Sequence, residues 1–253
     1  MRVIHDIPDI QGLILRWKQQ QQRVAFVPTM GNLHQGHLQL VEAAQAVADK
    51  VVVSVFVNPL QFPPGTDFEA YPRTLDDDAE KLRHLNVDAL FAPVTQAIYP
   101  QAMEAATKVV VPQLSDILCG EFRPGHFAGV TTVVAKLFHL VPAHVAVFGE
   151  KDFQQLTIIK KMVQDLSFAV EIQSVATVRE TDGLAMSSRN QYLSAQQREV
   201  APRLYQVLNT AKQDVLAKTK SFTQIEADAM QALKEAGFKP EYVSVRNRET
   251  LAP

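Results

Sequence analysis

A single cysteine, Cys119, is present. That excludes an intrachain disulfide and any zinc site built on cysteines. An excess of one charge is lacking too: 25 Lys and Arg stand against 27 Asp and Glu, a formal net charge of −2. Nothing therefore pulls the chain as a whole onto nucleic acid or an anionic membrane. No apolar run approaches the ~20 residues that span a bilayer. Residues 1–10 carry Arg2, His5, Asp6 and Asp9 and lack the apolar stretch of a secretory leader. A reducing, cytoplasmic setting is expected. Two common motifs are missing as well. There is no Gly-Lys-Ser/Thr of a Walker loop and no His-Glu-x-x-His of a zinc protease.

What remains is ordinary globular material, with 47% hydrophobic and 21% charged residues over 253 positions. A chain of this size buries roughly 70–75% of its extended surface and needs no staples. Residues 24–27 form a short apolar run read as a buried strand. Residues 36–49 place Leu38, Val41, Ala44 and Ala48 on one helical face, and 51–57 are β-branched and apolar. Strand, helix and strand make a right-handed βαβ unit. Residues 58–72, with four prolines and one glycine, read as a loop. Thr74 is placed to cap a helix running to Leu85 with Asp76, Asp77 and Asp78 in its first turn. Further strands are expected at 87–91, 109–111, 145–148 and 170–175, and further helices at 130–140 and 152–166. After Ala176 the pattern changes to helices at 194–218 and 223–236, the latter closed by Gly237, with one strand at 242–245. The expected fold is α/β: a Rossmann-like parallel sheet with helices on both faces over residues 1–176, plus a smaller α+β domain over 177–253.

Four segments carry candidate chemistry. Pro28-Thr29-Met30-Gly31-Asn32-Leu33-His34-Gln35-Gly36-His37 joins the first strand to the first helix. Ligands of open α/β sheets bind beyond the carboxyl ends of strands, and a helix N-terminus there suits phosphate. His34 and His37, three apart, share a helix face; they are phosphate donors, a plain surface feature or half of a metal site. Phe148-Gly149-Glu150-Lys151-Asp152-Phe153-Gln154-Gln155 joins another strand end to a helix. Lys151 there meets phosphate, or the segment is a surface turn capped by Asp152. Arg179-Glu180-Thr181-Asp182-Gly183-Leu184-Ala185-Met186-Ser187-Ser188-Arg189-Asn190 suits a phosphate clamp, since Arg bonds phosphate through two N–H groups; a domain linker is the other reading. Phe56-Val57-Asn58-Pro59-Leu60-Gln61-Phe62 offers Asn58 and Gln61 as uncharged hydroxyl or carboxylate readers, or is a simple turn. The run Asp76 to Asp78 either holds Mg²⁺ or complements the helix dipole. Arg123-Pro124-Gly125-His126-Phe127 is a substrate lid or a surface turn.

Together these segments resemble the pantoate–β-alanine ligase family over essentially the whole chain. The His34-Gln35-Gly36-His37 stretch is similar to the family's His-x-Gly-His signature, which class I aminoacyl-tRNA synthetases and nucleotidyltransferases share in looser form. Residues 56–62, Tyr71-Pro72-Arg73-Thr74, Cys119-Gly120 with 123–127, 149–156 and 182–190 resemble further family blocks in the same order. The resemblance implies ATP-dependent condensation of (R)-pantoate with β-alanine through a pantoyl adenylate, releasing pyrophosphate and AMP. It implies catalytic roles for His34, His37, Lys151 and Arg189. An ATP site is implied from Met30, Gly31, Asn32, Leu33, His34, Gln35, Gly36, His37, Gly149, Glu150, Lys151, Asp152, Val178, Met186, Ser187, Ser188 and Arg189. Pantoate and β-alanine fall to Gln61, Gln155 and Asn58, and Mg²⁺ to Asp77 and Asp78. A cytoplasmic homodimer without nucleic-acid or membrane partners is implied. His139 stands where the family usually has Asn, at a position expected near the site but tolerant. Family chains usually run on past the position of Pro253, so the second domain is expected to be a strand short. The rival readings are a nucleotidyltransferase with the same signature and a nucleotide-binding module without catalysis.

Overall fold

The computed structural model describes residues 1–253 except Pro63, Pro64 and Thr66, and the side chain of Glu104. Two compact units are present, Met1–Ala176 and Thr177–Pro253. The first runs β1 (Arg2–Ile4), α1 (Ile7–Gln19), β2 (Val24–Thr29), α2 (Gln35–Gln45), β3 (Lys50–Val55), α3 (Leu75–His84) and β4 (Ala89–Phe91). It continues with the single turns α4 (Thr95–Ile98) and α5 (Cys119–Phe122), then α6 (His126–Leu140), β5 (Val145–Gly149), α7 (Phe153–Asp165) and β6 (Glu171–Val175). The six strands form one sheet in the order β1-β4-β3-β2-β5-β6, and every pairing is parallel.

The unbroken apolar strands follow from burial on both faces. Side chains alternate along a strand. Val24 and Phe26 of β2, Val52 of β3 and Ala146 and Phe148 of β5 join the core shared with α1, α6 and α7. Their neighbours Ala25, Val27, Val51, Val53, Val145 and Val147 join the core with α2 and α3. Connections leave β2 toward β3 on one side, while β5 pairs on the other. The order reverses between β2 and β5, and such a reversal opens a crevice at the carboxyl ends of the strands.

Three sequence expectations change. Residues 109–111 are not a strand. The Val109 N–H donates to Thr132 Oγ1 at 2.9 Å and its carbonyl accepts from Thr131 Oγ1 at 2.5 Å, so hydroxyls on α6 take the bonds a neighbouring strand would supply. The helix expected over 194–218 is two, α8 (Ala195–Val200) and α9 (Arg203–Ala217); Pro202 between them has no N–H to continue the ladder. Residues 242–245 have no strand beside them among the described residues, and the Val245 N–H donates to Glu226 Oε1 at 2.6 Å on α10 (Phe222–Glu235). Of the loop expected at 58–72, Pro63, Pro64 and Thr66 lie outside the described residues, and Pro59–Gln61 is a 3-10 turn. In the second unit α9 and α10 enclose a small core of Val207, Ala229 and Leu233.

Candidate active site

Beyond β2 the chain turns through two successive left-handed residues, Gly31 (φ 84°) and Asn32 (φ 50°). A Cβ on Gly31 would lie 2.9 Å from Val55 Cγ1 and 3.0 Å from Asp78 Oδ2, so the turn needs glycine for space as well as for its φ. Gly31 N–H donates to Thr29 Oγ1 at 3.1 Å, and Thr29 Oγ1 donates to the Ser54 carbonyl at 2.8 Å. This turn feeds His34 into the N-cap of α2.

The two histidines cap that helix reciprocally. His34 Nδ1 accepts the Gly36 N–H at 3.1 Å, and His37 Nδ1 accepts the His34 N–H at 3.3 Å. An imidazole nitrogen that accepts carries no proton, so both rings are neutral Nε2–H tautomers. Their centroids are 4.1 Å apart. Burial, then the charges of Lys151 and Lys81, hold His34 down at about 4. Burial first, then His34, Lys151 and Lys81, holds His37 at about 3. At neutral pH the pair offers uncharged N–H donors.

The β5–α7 connection supplies the cation. Glu150–Asp152 form a 3-10 turn, and Lys151 Nζ lies 3.4 Å from Asp152 Oδ2. Asp152 occupies the N-cap of α7 without a side-chain capping bond, so the capped surface turn is not what forms. Glu150 Oε1 accepts from Ser174 Oγ at 3.0 Å. Gly149 lies against α2, where an added Cβ would sit 4.0 Å from Leu40.

The Asn58-to-Gln61 turn forms a third wall. Gln61 Nε2 donates to Met30 Sδ at 2.9 Å, and its Oε1 accepts from Asn58 Nδ2 at 3.2 Å. Asn58, expected to touch substrate, is 1% exposed. Its Nδ2 also donates to the Gly129 carbonyl at 3.1 Å, and its Oδ1 accepts from Tyr99 at 2.8 Å. Within the fold the amide therefore bonds Gln61, Gly129 and Tyr99. Burial pushes the Tyr99 hydroxyl well above its ordinary range, which keeps it a donor. Arg123, Pro124 and Gly125 form an exposed turn ahead of α6, as the surface-turn reading has it, while the half-buried His126 turns inward and its Nδ1 donates to the Gln61 carbonyl at 2.7 Å.

On α7, neighbouring glutamines part company. Gln154 is buried; it donates to the Leu114 and Ile117 carbonyls at 2.8 and 2.7 Å and accepts the Cys119 N–H at 3.1 Å. Gln155 is half-buried, and its amide makes no hydrogen bond among the described residues. Sequence reasoning passed over Gln154, Tyr99 and Gly129, none of which has a motif of its own. A Cβ on Gly129 would come 2.2 Å from the Leu60 carbonyl oxygen, so this glycine lets α6 pack directly against the turn bearing Gln61.

Asp77 and Asp78 do not fit a protein-built magnesium site. Asp78 is fully buried and its oxygens accept the Leu33 and Asn32 N–H groups at 2.7 and 2.8 Å. Asp77 is exposed. Among the described residues no group of three or more His, Cys, Asp and Glu is set to hold a metal. His139, expected near the site, is exposed and packs its ring 5.2 Å from Phe168 in the last turn of α6. His126, whose carbonyl contact is at the site, begins that helix, so ~1.5 Å of rise per residue carries His139 far from it.

Val178, Met186, Ser187, Ser188 and Arg189 belong to the second unit, and the segment is a folded hairpin rather than a linker. Met186 N–H donates to the Val178 carbonyl at 3.0 Å, and Arg179 bridges Ala185 in antiparallel fashion. The Arg179 guanidinium stacks 3.6 Å from the Tyr205 ring centroid. Ser187 Oγ accepts the Arg189 N–H at 3.2 Å and caps the 3-10 turn Ser188–Tyr192.

An open parallel sheet with neutral imidazoles, an ammonium and an unpaired amide at its carboxyl edge defines an α/β enzyme for anionic substrates. The pantoate–β-alanine ligase family model matches residues 2–253. A pantothenate synthetase of Idiomarina loihiensis is 51% identical over 251 residues, 99% of this chain and 88% of its own length. A crystal structure of pantothenate synthetase from Thermus thermophilus superposes with a TM-score of 0.93 at 45% identity, covering 100% of this chain and 90% of that one. Pantoate–β-alanine ligase from Francisella tularensis, solved with β-γ ATP and β-alanine, gives a TM-score of 0.87 at 33% identity over 98% and 90% of the two chains. The chain belongs to the pantoate–β-alanine ligase family, and it is a ligase of pantothenate biosynthesis. No helix among the described residues is long and apolar enough to cross a membrane.

Proposed function

We propose that the chain joins (R)-pantoate to β-alanine in two steps. The pantoate carboxylate attacks the α-phosphorus of ATP, the bond to pyrophosphate breaks, and pantoyl adenylate forms. The amine of β-alanine then attacks the acyl carbon, loses its proton and displaces AMP. A carboxylate is a poor acyl donor, and adenylation gives it a good leaving group. Attack at phosphorus loads charge onto non-bridging oxygens, so positioning and electrostatics carry the step.

The observation that carries this reading is the His34–His37 pair, whose Nδ1 atoms are both occupied by backbone N–H groups. Each Nε2–H is thereby left to donate to phosphate oxygens without the repulsion between two charged rings. Lys151 adds the cation. Residues 30–37 and 149–152 form the walls of the ATP site. Gln61 and Gln155 hold pantoate, and Gln61 also β-alanine, supported by Asn58. In the second unit, Val178, Met186, Ser187, Ser188 and Arg189 keep the nucleotide-binding role that the family resemblance gives them. That the Francisella relative binds β-γ ATP and β-alanine supports both ligands here. Mg²⁺ is assigned to the nucleotide's phosphates, as its counter-ion. The family resemblance supports a cytoplasmic homodimer.

The test is incubation with ATP, Mg²⁺, pantoate and β-alanine. Pantothenate and AMP should appear in equal amounts, and AMP release should require β-alanine. Pyrophosphate with a stable nucleotide conjugate and no AMP would instead identify a nucleotidyltransferase.

A further inference from the structure

We propose that Asp78 and Lys81 of α3 are positioning residues for adenylation, gripping the peptide groups on either side of Leu33 so that His34 and His37 are presented to the nucleotide. The proposal rests on the reading of those histidines as phosphate donors.

Asp78 and Lys81 are three apart and share a helix face. The left-handed turn at Gly31 and Asn32 directs successive N–H groups at α3. Asp78 Oδ2 accepts from Asn32 at 2.8 Å and Oδ1 from Leu33 at 2.7 Å, while Thr74 Oγ1 donates to Oδ2 at 3.3 Å. A fully buried carboxylate persists only when its oxygens are satisfied, and here backbone amides of the site loop satisfy them. Lys81 Nζ donates to the Leu33 carbonyl at 2.7 Å. Leu33 itself is 3% exposed. The residue after it is the N-cap of α2. One face of α3 therefore fixes the N–H and the C=O of the residue that precedes His34. The ammonium of Lys81 also contributes to keeping both imidazoles neutral.

The experiment compares the wild type with Asp78→Asn and Lys81→Met. Asp78→Asn puts an NH₂ where an N–H donor must be met. Adenylate formation should fall ~10²-fold, the scale of a displacement of about an ångström at a reacting centre. The Mg²⁺ concentration for half-maximal activity should be unchanged. Lys81→Met keeps the apolar stem and drops one charge-assisted bond, so a loss of about tenfold is expected. In both variants the imidazole ¹⁵N resonances of His34 and His37 should move. A rise in the Mg²⁺ requirement of Asp78→Asn, with rate restored at high Mg²⁺, would make it a metal ligand and overturn the proposal. Wild-type adenylation in Lys81→Met overturns it too, even if Asp78→Asn does not fold. The ¹⁵N spectra need no turnover. If the wild type releases no AMP, the reading of the reaction fails, while unmoved histidine resonances in the variants overturn the brace by itself.

Discussion

The backbone N–H of His34 points at Nδ1 of His37, 3.3 Å away, so one catalytic candidate fixes the tautomer of the other. Protonating His37 Nδ1 would set a donor against that N–H and break the cap of α2. Both rings titrate below their ordinary 6.5, at about 4 and about 3. The unfolded chain therefore takes up protons before the native one. The stabilisation is whole above pH ~6.5 and is lost as pH falls toward 4, with a slope of at most about 1.4 kcal/mol per pH unit for each ring. His144 adds in the same direction, since burial first and then the charges of Lys18 and Arg23 lower it. Urea midpoints at pH 7, 5.5 and 4.5 should fall in that order; a flat profile would contradict the neutral assignment.

Lys151→Ala should slow adenylate formation by ~10²-fold or more, the loss of one preorganised charge-stabilising group. Rapid-quench measurement of the first step checks it. The His34 titration should move back toward 6.5 in the same variant, because Lys151 is one of the charges lowering it.

Gln154→Ala and Gln155→Ala should fail differently. The first strands two carbonyls and an N–H that Gln154 now satisfies, at ~1–3 kcal/mol for a buried group left unpaired. Its signature is a lower melting temperature. Gln155→Ala should leave stability alone and weaken pantoate binding, read by calorimetry with pantoate and ATP.

Gly129→Ala drives a methyl into the Leu60 carbonyl. Overpacking of this kind costs about 1–3 kcal/mol. Because the displaced turn carries Gln61, the pantoate KM should rise more than the ATP KM. Equal changes in both would place the effect in global stability.

Five strands of the parallel sheet were legible because buried apolar runs such as 51–57 and 145–148 have few alternatives; β1 (Arg2–Ile4) was not, since three residues are too few to show a pattern. The motif residues His34, His37 and Lys151 were legible because strand ends place them. Pro202 was visible in the sequence, yet the polar pattern around it ran on without a break and masked its effect. Residues 109–111 misled because three valines look alike whether a strand or the Thr131 and Thr132 hydroxyls bind their backbone. Asp78 was read by its charge alone. Only its burial and the direction of the Asn32 and Leu33 amides separate a brace from a metal ligand, and one chain's sequence records neither. Tyr99 and Gly129 act through contacts with residues 41 and 69 positions away, and no local pattern marks such pairings.

The left-handed pair at Gly31 and Asn32 has a thermodynamic consequence. Its winding is completed as the chain folds, with Asp78 seated beneath it, so the segment gives up little further freedom when a nucleotide arrives. Loosening it would be felt first as a weaker fold and only second as weaker capture of ligand.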